Sequence, residues 1–151
     1  VILKDELLKG RDKQYPQEYT AEISTNLDRL LIQMNLVRAA YGLPMIVDSG
    51  WRPAAINSST PGAATHSNHM KGLACDISDP DGKLRAWVLA NLPLMQKLGL
   101  YFEDFRYTKG WVHFAIAPPA SGKRISVPNA NRPTDPNCWD GVYDHAFDQA
   151  A

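Results

Sequence analysis

Two histidines and an aspartate are the residues of this chain best suited to chemistry. His69 and Asp76 lie seven positions apart in Ser67-Asn68-His69-Met70-Lys71-Gly72-Leu73-Ala74-Cys75-Asp76. His113 follows in the apolar run Trp111-Val112-His113-Phe114-Ala115-Ile116. Two imidazoles and one carboxylate are three of the four ligands of a catalytic zinc, with water in the fourth position. By spacing alone, solvated or internally satisfied side chains are an equal alternative. Gly72 and Ala74 allow close backbone packing between the first two residues. An imidazole in a strand of large apolar residues is costly without a partner. If Trp111, His113 and Ala115 share one strand face, His113 points where Trp111 points.

Arg52 closes the turn Ser49-Gly50-Trp51-Arg52-Pro53. A guanidinium at a strand end can clamp a carboxylate or polarise a carbonyl; a surface arginine is the plainer reading. Other candidates fail. Ser121-Gly122-Lys123-Arg124 lacks the first glycine and the hydroxyl residue of a phosphate loop. Asp79-Pro80-Asp81-Gly82 lacks the first acidic ligand of a calcium loop, because Ile77 stands in its place. Asn57-Ser58-Ser59 is only formally a glycosylation site. His66 shapes the loop and is held as a reserve ligand; His145 reads as solvated.

The elements that must position these groups follow from apolar periodicity. Residues 1–17 read as charged and irregular, with Leu3, Leu7 and Leu8 as anchors. Residues 18–41 read as a helix, its buried face formed by Ile23, Leu27, Leu30, Leu31, Met34, Val37 and Ala40. Gly42 ends it and Pro44 prevents its return. Met45-Ile46-Val47 reads as a buried strand, 54–66 as a loop, and 74–77 as a strand that holds Asp76 on a rigid element. Residues 83–98 read as helical, kinked or divided by Asn91 and Pro93, with Gly99 as the stop. Residues 100–107 and 111–116 read as a hairpin around Thr108-Lys109-Gly110. The tail 118–151 reads as irregular. The expected architecture is α+β, a small antiparallel sheet with packed helices. One domain is expected over 1–151, with its core at about 18–117.

A length of 151 residues suits one domain with a real core. Sixteen Lys plus Arg balance sixteen Asp plus Glu, which argues against a nucleic-acid binder. No apolar run approaches the roughly 20 residues of a membrane span, and no signal peptide is visible. Cys75 reads as a small core residue; a Cys75–Cys138 bridge stays open.

Taken together, Ser49-Gly50-Trp51-Arg52-Pro53, Asn57, Pro61-Gly62-Ala63, the pattern Ser67-x-His69-x-x-Gly72-x-Ala74-x-Asp76, and Trp111-Val112-His113 resemble the M15 zinc peptidases. These are D-Ala-D-Ala carboxypeptidases and dipeptidases and phage L-alanyl-D-glutamate endolysins of the Hedgehog-like fold. The resemblance covers roughly residues 20 to 116. It implies zinc ligation by His69, Asp76 and His113, stabilisation of the oxyanion by Arg52, and a substrate-lining role for Ser67. It also implies hydrolysis of peptidoglycan stem peptides, at the cell wall, by a chain expected to be monomeric. Which peptide bond is cut, and whether the origin is phage or bacterial, stay open.

One position departs from the family. The general base usually stands three residues before the second histidine ligand, where this chain has Gly110. The nearest carboxylates are Glu103 and Asp104. With a three-residue turn at 108–110, Glu103 lies opposite Ala115 and projects from the zinc-facing side; with a two-residue turn, Asp104 takes that side. Glu103 is preferred for its longer reach. Arg124 is read as a solvated tail residue, with a substrate-carboxylate clamp as the alternative. The rival to an enzyme is a zinc-bearing binding or structural module without catalysis.

Overall fold

The computed structural model describes residues 1–64, 66–119 and 122–127, together with the backbone of 140–142. The longest apolar repeat becomes the longest helix, α3 (Ala21–Tyr41). The Thr20 hydroxyl caps it by accepting from the Ile23 amide at 3.2 Å. Leu27, Leu30, Met34 and Val37 are fully buried, while Ala40, expected on the same face, is exposed.

The lead segment is not irregular. It forms α1 (Lys4–Leu8) and α2 (Arg11–Gln14), and Ile2, Leu7 and Leu8 enter the core. The core therefore starts at residue 2 rather than near 18. A five-residue helix is too short for a periodic pattern to show, and packing rather than propensity sustains it. Leu3, the third expected anchor, is exposed.

Strands β1 (Val47–Ser49), β2 (Ala74–Ser78), β3 (Tyr101–Glu103), β4 (Trp111–Ala115), β5 (Ile125–Val127) and β6 (Asp140–Val142) make one sheet in the order β1-β2-β4-β3-β5-β6. Four of the neighbour pairs are antiparallel; β3 and β5 run parallel. The tail expected to be irregular thus adds two strands. Arg124 and Ser126 carbonyls accept from the Phe102 and Asp104 amides at 2.9 and 2.7 Å, which gives the short β5 its place. The described secondary structure is α+β, with α1, α3 and two later helices, Lys83–Ala90 and Leu92–Lys97, sharing one apolar cluster with the strands.

The segment after β1 departs from the sequence reading, whereas 83–98 follows it. The loop expected over 54–66 begins with α4 (Ala54–Ser58). At and beyond its end, the Ser58 and Thr60 hydroxyls donate to the Ala54 and Ile56 carbonyls, each at 2.7 Å. The region 83–98 divides into α5 (Lys83–Ala90) and α6 (Leu92–Lys97), with the proline in the first turn of α6. The Asp79 carboxylate caps α5 by accepting from the Leu84 and Arg85 amides at 2.9 and 3.0 Å. No helix among the described residues is long and apolar enough to cross a membrane.

Candidate metal centre

His69 sits in a 3-10 helix, Asn68–Lys71, between two sequence-encoded stops. Ser67 begins it, its hydroxyl accepting from the His69 amide at 3.1 Å. Gly72 ends it at a φ of 73°, and a Cβ there would lie 2.9 Å from the Ile23 carbonyl oxygen. Only glycine satisfies both conditions. The His69 ring is 1% exposed. Its Nδ1 lies 2.8 Å from the Gly50 carbonyl oxygen, which can only accept. Nδ1 therefore carries a proton, which leaves Nε2 as the ring atom that faces Asp76 and His113.

Asp76 and His113 are directly paired across β2 and β4, so their side chains share a sheet face. Asp76 Oδ1 is 2.9 Å from His113 Nδ1, and Asp76 Oδ2 is 3.3 Å from His69 Nε2. His69 Nε2 and His113 Nδ1 are 3.3 Å apart. Zinc ligand atoms about 2.0–2.1 Å from a tetrahedral ion stand roughly 3.3 Å from one another. The two imidazole nitrogens stand at that separation, one ligand atom from each of the three residues lies within 4.8 Å of the others, and the donor set of two imidazoles and a carboxylate suits such an ion. Burial works against an ionised Asp76, but the two imidazoles outweigh it and hold the carboxyl well below its usual range. Burial likewise disfavours protonated His113, yet Glu103 and Asp76 raise its basicity above the ordinary imidazole value.

The hairpin register is neither of the two expected. Tyr101 pairs with Ala115 and Phe102 with Phe114, so continuing the ladder puts Glu103 opposite His113. The connection takes up all of residues 104–110. Glu103 Oε1 stands 3.5 Å from His113 Nδ1, on the side of the ligand cluster. Burial raises its affinity for a proton above the ordinary carboxylate value; Asp76 adds to this, while His113, His69 and Arg52 oppose it. Asp104 is turned elsewhere: it accepts from Arg106 Nη2 at 2.8 Å and from Arg106 Nε at 3.0 Å. Gly110 contributes only its carbonyl, which accepts from the Asp79 amide at 2.8 Å.

Arg52 is 9% exposed, not a surface arginine. Its Nη2 donates to Ser67 Oγ at 3.2 Å, while Nε has no hydrogen-bond partner among the described residues. Arg52, Ser67, His69, Asp76, Glu103 and Trp111 line one cleft, with residues 60–64 as a wall of small side chains. Ala117 and Pro119 border a small pocket beside Glu103 and His113. His66 is exposed and outside the ligand cluster. Arg124, read as solvated, instead donates to the Leu100 carbonyl at 3.1 Å and stacks over the Tyr101 ring. Cys75 is a buried thiol, its acidity weakened by burial; Cys138 and His145 fall outside the described residues.

Three residues quoted for the resemblance, but given no role from the sequence, contribute to the site. The Gly50 carbonyl orients His69. The fully buried Trp51 donates its indole N–H to the Met70 carbonyl at 3.0 Å. Asn57 donates to the Ala64 carbonyl at 3.0 Å and so fixes the small-residue wall. For Gly50 and Trp51 the available signal was the tight packing implied by a glycine next to a tryptophan.

A His–Asp–His cluster at metal-binding distance, in a cleft shared with a buried carboxylate and a buried arginine, has the form of a metallohydrolase centre. The sequence model of the Peptidase M15 family matches residues 6–115, and the chain belongs to that family. No curated protein and no solved structure matches the chain significantly.

Proposed function

We propose that this chain is a zinc-dependent peptidase that hydrolyses peptide bonds in the stem peptides of bacterial peptidoglycan. The observation that carries the reading is the position of Glu103 and Arg52 beside three side chains spaced for one zinc ion. His69 Nε2, Asp76 and His113 Nδ1 would hold the metal. When bound, zinc supplies Lewis acidity toward a carbonyl oxygen and brings the pKa of a water toward neutrality.

The chain's own groups do the rest. Glu103 accepts a proton from the attacking water, whose oxygen forms a bond to the scissile carbonyl carbon. As the carbon–nitrogen bond breaks, Glu103 returns that proton to the leaving amine. The raised proton affinity of Glu103 suits both halves of this exchange. Arg52 offers its unpartnered Nε–H, in a buried setting, to the oxygen that gains negative charge. Ser67 Oγ, accepting from both Arg52 and the His69 amide, holds these two groups at a fixed separation. The wall of small residues leaves room for stem peptides built largely on alanine. That substrate class is the one the family resemblance implies.

The test is mass spectrometry of purified peptidoglycan digested by the zinc-loaded protein. New amine and carboxylate termini within the stem peptides are the expected products, and they also identify the bond cut. Unchanged peptidoglycan, despite one bound zinc per chain, would instead favour the non-catalytic wall-binding module.

A further inference from the structure

We propose that the N-terminal segment Leu7–Arg11 is a positioning element of the metal centre, acting on His69 through the Gly50 carbonyl. The proposal rests on the reading of His69, Asp76 and His113 as metal ligands. An orienting partner on the second ring nitrogen fixes a histidine ligand's tautomer and ring plane. For His69 that partner is a backbone carbonyl, at 2.8 Å. Its accuracy therefore depends on whatever holds the Gly50 peptide in place.

Two sets of contacts hold it. On the site side, the Arg52 amide donates to the His69 carbonyl at 3.0 Å, and the Trp51 indole donates to the Met70 carbonyl at 3.0 Å. On the far side stands the N-terminal segment. The Trp51 amide donates to the Leu7 carbonyl at 2.9 Å. Arg11 Nη1 donates to the Trp51 carbonyl at 2.6 Å. Lys9 Nζ donates to the Val47 carbonyl in β1 at 2.8 Å. The Leu7 backbone runs so close that a Cβ on Gly50 would lie 2.1 Å from the Leu7 oxygen and 2.7 Å from its Cα. That neighbour is backbone and cannot swing aside as a side-chain tip could.

Lys9 supplies an independent sign. Its φ of 52° is the described residues' one left-handed backbone outside glycine. Such strain persists where the surroundings over-determine it, and here the ammonium ties the end of α1 to β1. The segment thus braces Gly50–Arg52 from behind without touching the ligands themselves. A role limited to burying Ile2, Leu7 and Leu8 would affect stability alone; positioning also affects how His69 meets a metal.

The test measures zinc affinity by chelator competition and the visible spectrum of the cobalt(II)-loaded protein. It compares the full-length wild type with Gly50→Ala, Arg11→Gln and, as a core control, Val37→Ala. Gly50→Ala should weaken zinc binding roughly 10–100-fold, the scale for loss of an orienting partner, and alter the cobalt spectrum. Arg11→Gln should shift both in the same direction by less. Val37→Ala should lower the melting temperature yet keep wild-type affinity and spectrum. If Gly50→Ala does not fold, nitrogen-15 NMR of the metal-free wild type and Arg11→Gln decides. The wild type should show His69 protonated on Nδ1 with slow proton exchange, and Arg11→Gln should exchange faster. Wild-type affinity and spectrum in both site variants, an equal loss in Val37→Ala, or a His69 Nδ1 that carries no proton would overturn the proposal alone. A wild type that binds no zinc would overturn the metal reading, and the proposal with it.

Discussion

Glu103→Gln removes one negative charge and one proton acceptor from the cleft while preserving side-chain length and shape. The β3–β4 register sets this residue opposite His113, with Oε1 3.5 Å from His113 Nδ1. A carboxylate there can take a proton from an attacking water and return it to an amine; a carboxamide can do neither. General acid–base catalysis contributes roughly 10²–10⁴-fold, which is about 2.7–5.4 kcal/mol of barrier at 1.36 kcal/mol per decade. The three proposed ligands are untouched, so zinc content should stay at the wild-type value. Glu103→Asp withdraws the carboxylate by one carbon–carbon bond, about 1.5 Å. The 3.5 Å approach to His113 then lengthens to roughly 5 Å, beyond direct hydrogen-bond reach, and an intermediate loss is expected. The assay is release of new amines from purified peptidoglycan by variants matched for zinc. Wild-type turnover in zinc-loaded Glu103→Gln would refute the role. Loss of zinc together with turnover would show that Glu103 supports the metal rather than the proton transfer.

Arg52→Lys keeps the charge but loses the planar fork; kcat should fall roughly 10²-fold with zinc retained, and a rise in KM alone would make Arg52 a ground-state binding residue. Asp104→Asn should leave turnover intact, since Asp104 faces Arg106 and not the cleft. Burial opposes the Asp104 charge, but the Arg106 bonds outweigh it and lower its pKa below 3.8 in the folded state. A lowered folded-state pKa gives stability that is present above 3.8 and lost as the pH falls through the folded value. Urea denaturation should therefore show Asp104→Asn less stable at neutral pH, with the gap closing in acid; a gap that persists would contradict the assignment. A chelator should lower the melting temperature, because zinc at 100 times its Kd adds about 2.7 kcal/mol to the native state; an unchanged melting curve would count against a tight site.

Much of the site was legible because its spacing is local. The strand over 74–77 that holds Asp76 read directly from residue type, whereas the 3-10 turn that Ser67 caps and Gly72 ends was not read. His113 could be placed on a strand paired with the run at 100–107, as β3 and β4 are, but its other neighbour, β2, could not be read from that run. Pairing of Asp76 with His113 is a long-range event that no local pattern specifies. The β3–β4 register was illegible for a related reason. Thr108-Lys109-Gly110 suits a tight turn, yet the Asp104–Arg106 pair and the buried Phe105 open the connection to residues 104–110. Both expected registers missed by at least two residues, although the three-residue alternative kept Glu103 on the zinc-facing side. The N-terminal helices escaped notice because four or five residues carry no readable period. β5 escaped because three residues in a tail rich in Pro and Asn resemble a loop until the β3 edge is there to pair with them.

The central claim is that His69, Asp76 and His113 form one zinc site, and elemental analysis of the purified chain beside its His113→Ala variant tests it most directly. The account predicts one zinc per wild-type chain and loss of the metal in the variant, whose circular dichroism should stay that of a folded protein. No zinc in the wild type after incubation with the ion, or full occupancy in His113→Ala, would contradict it.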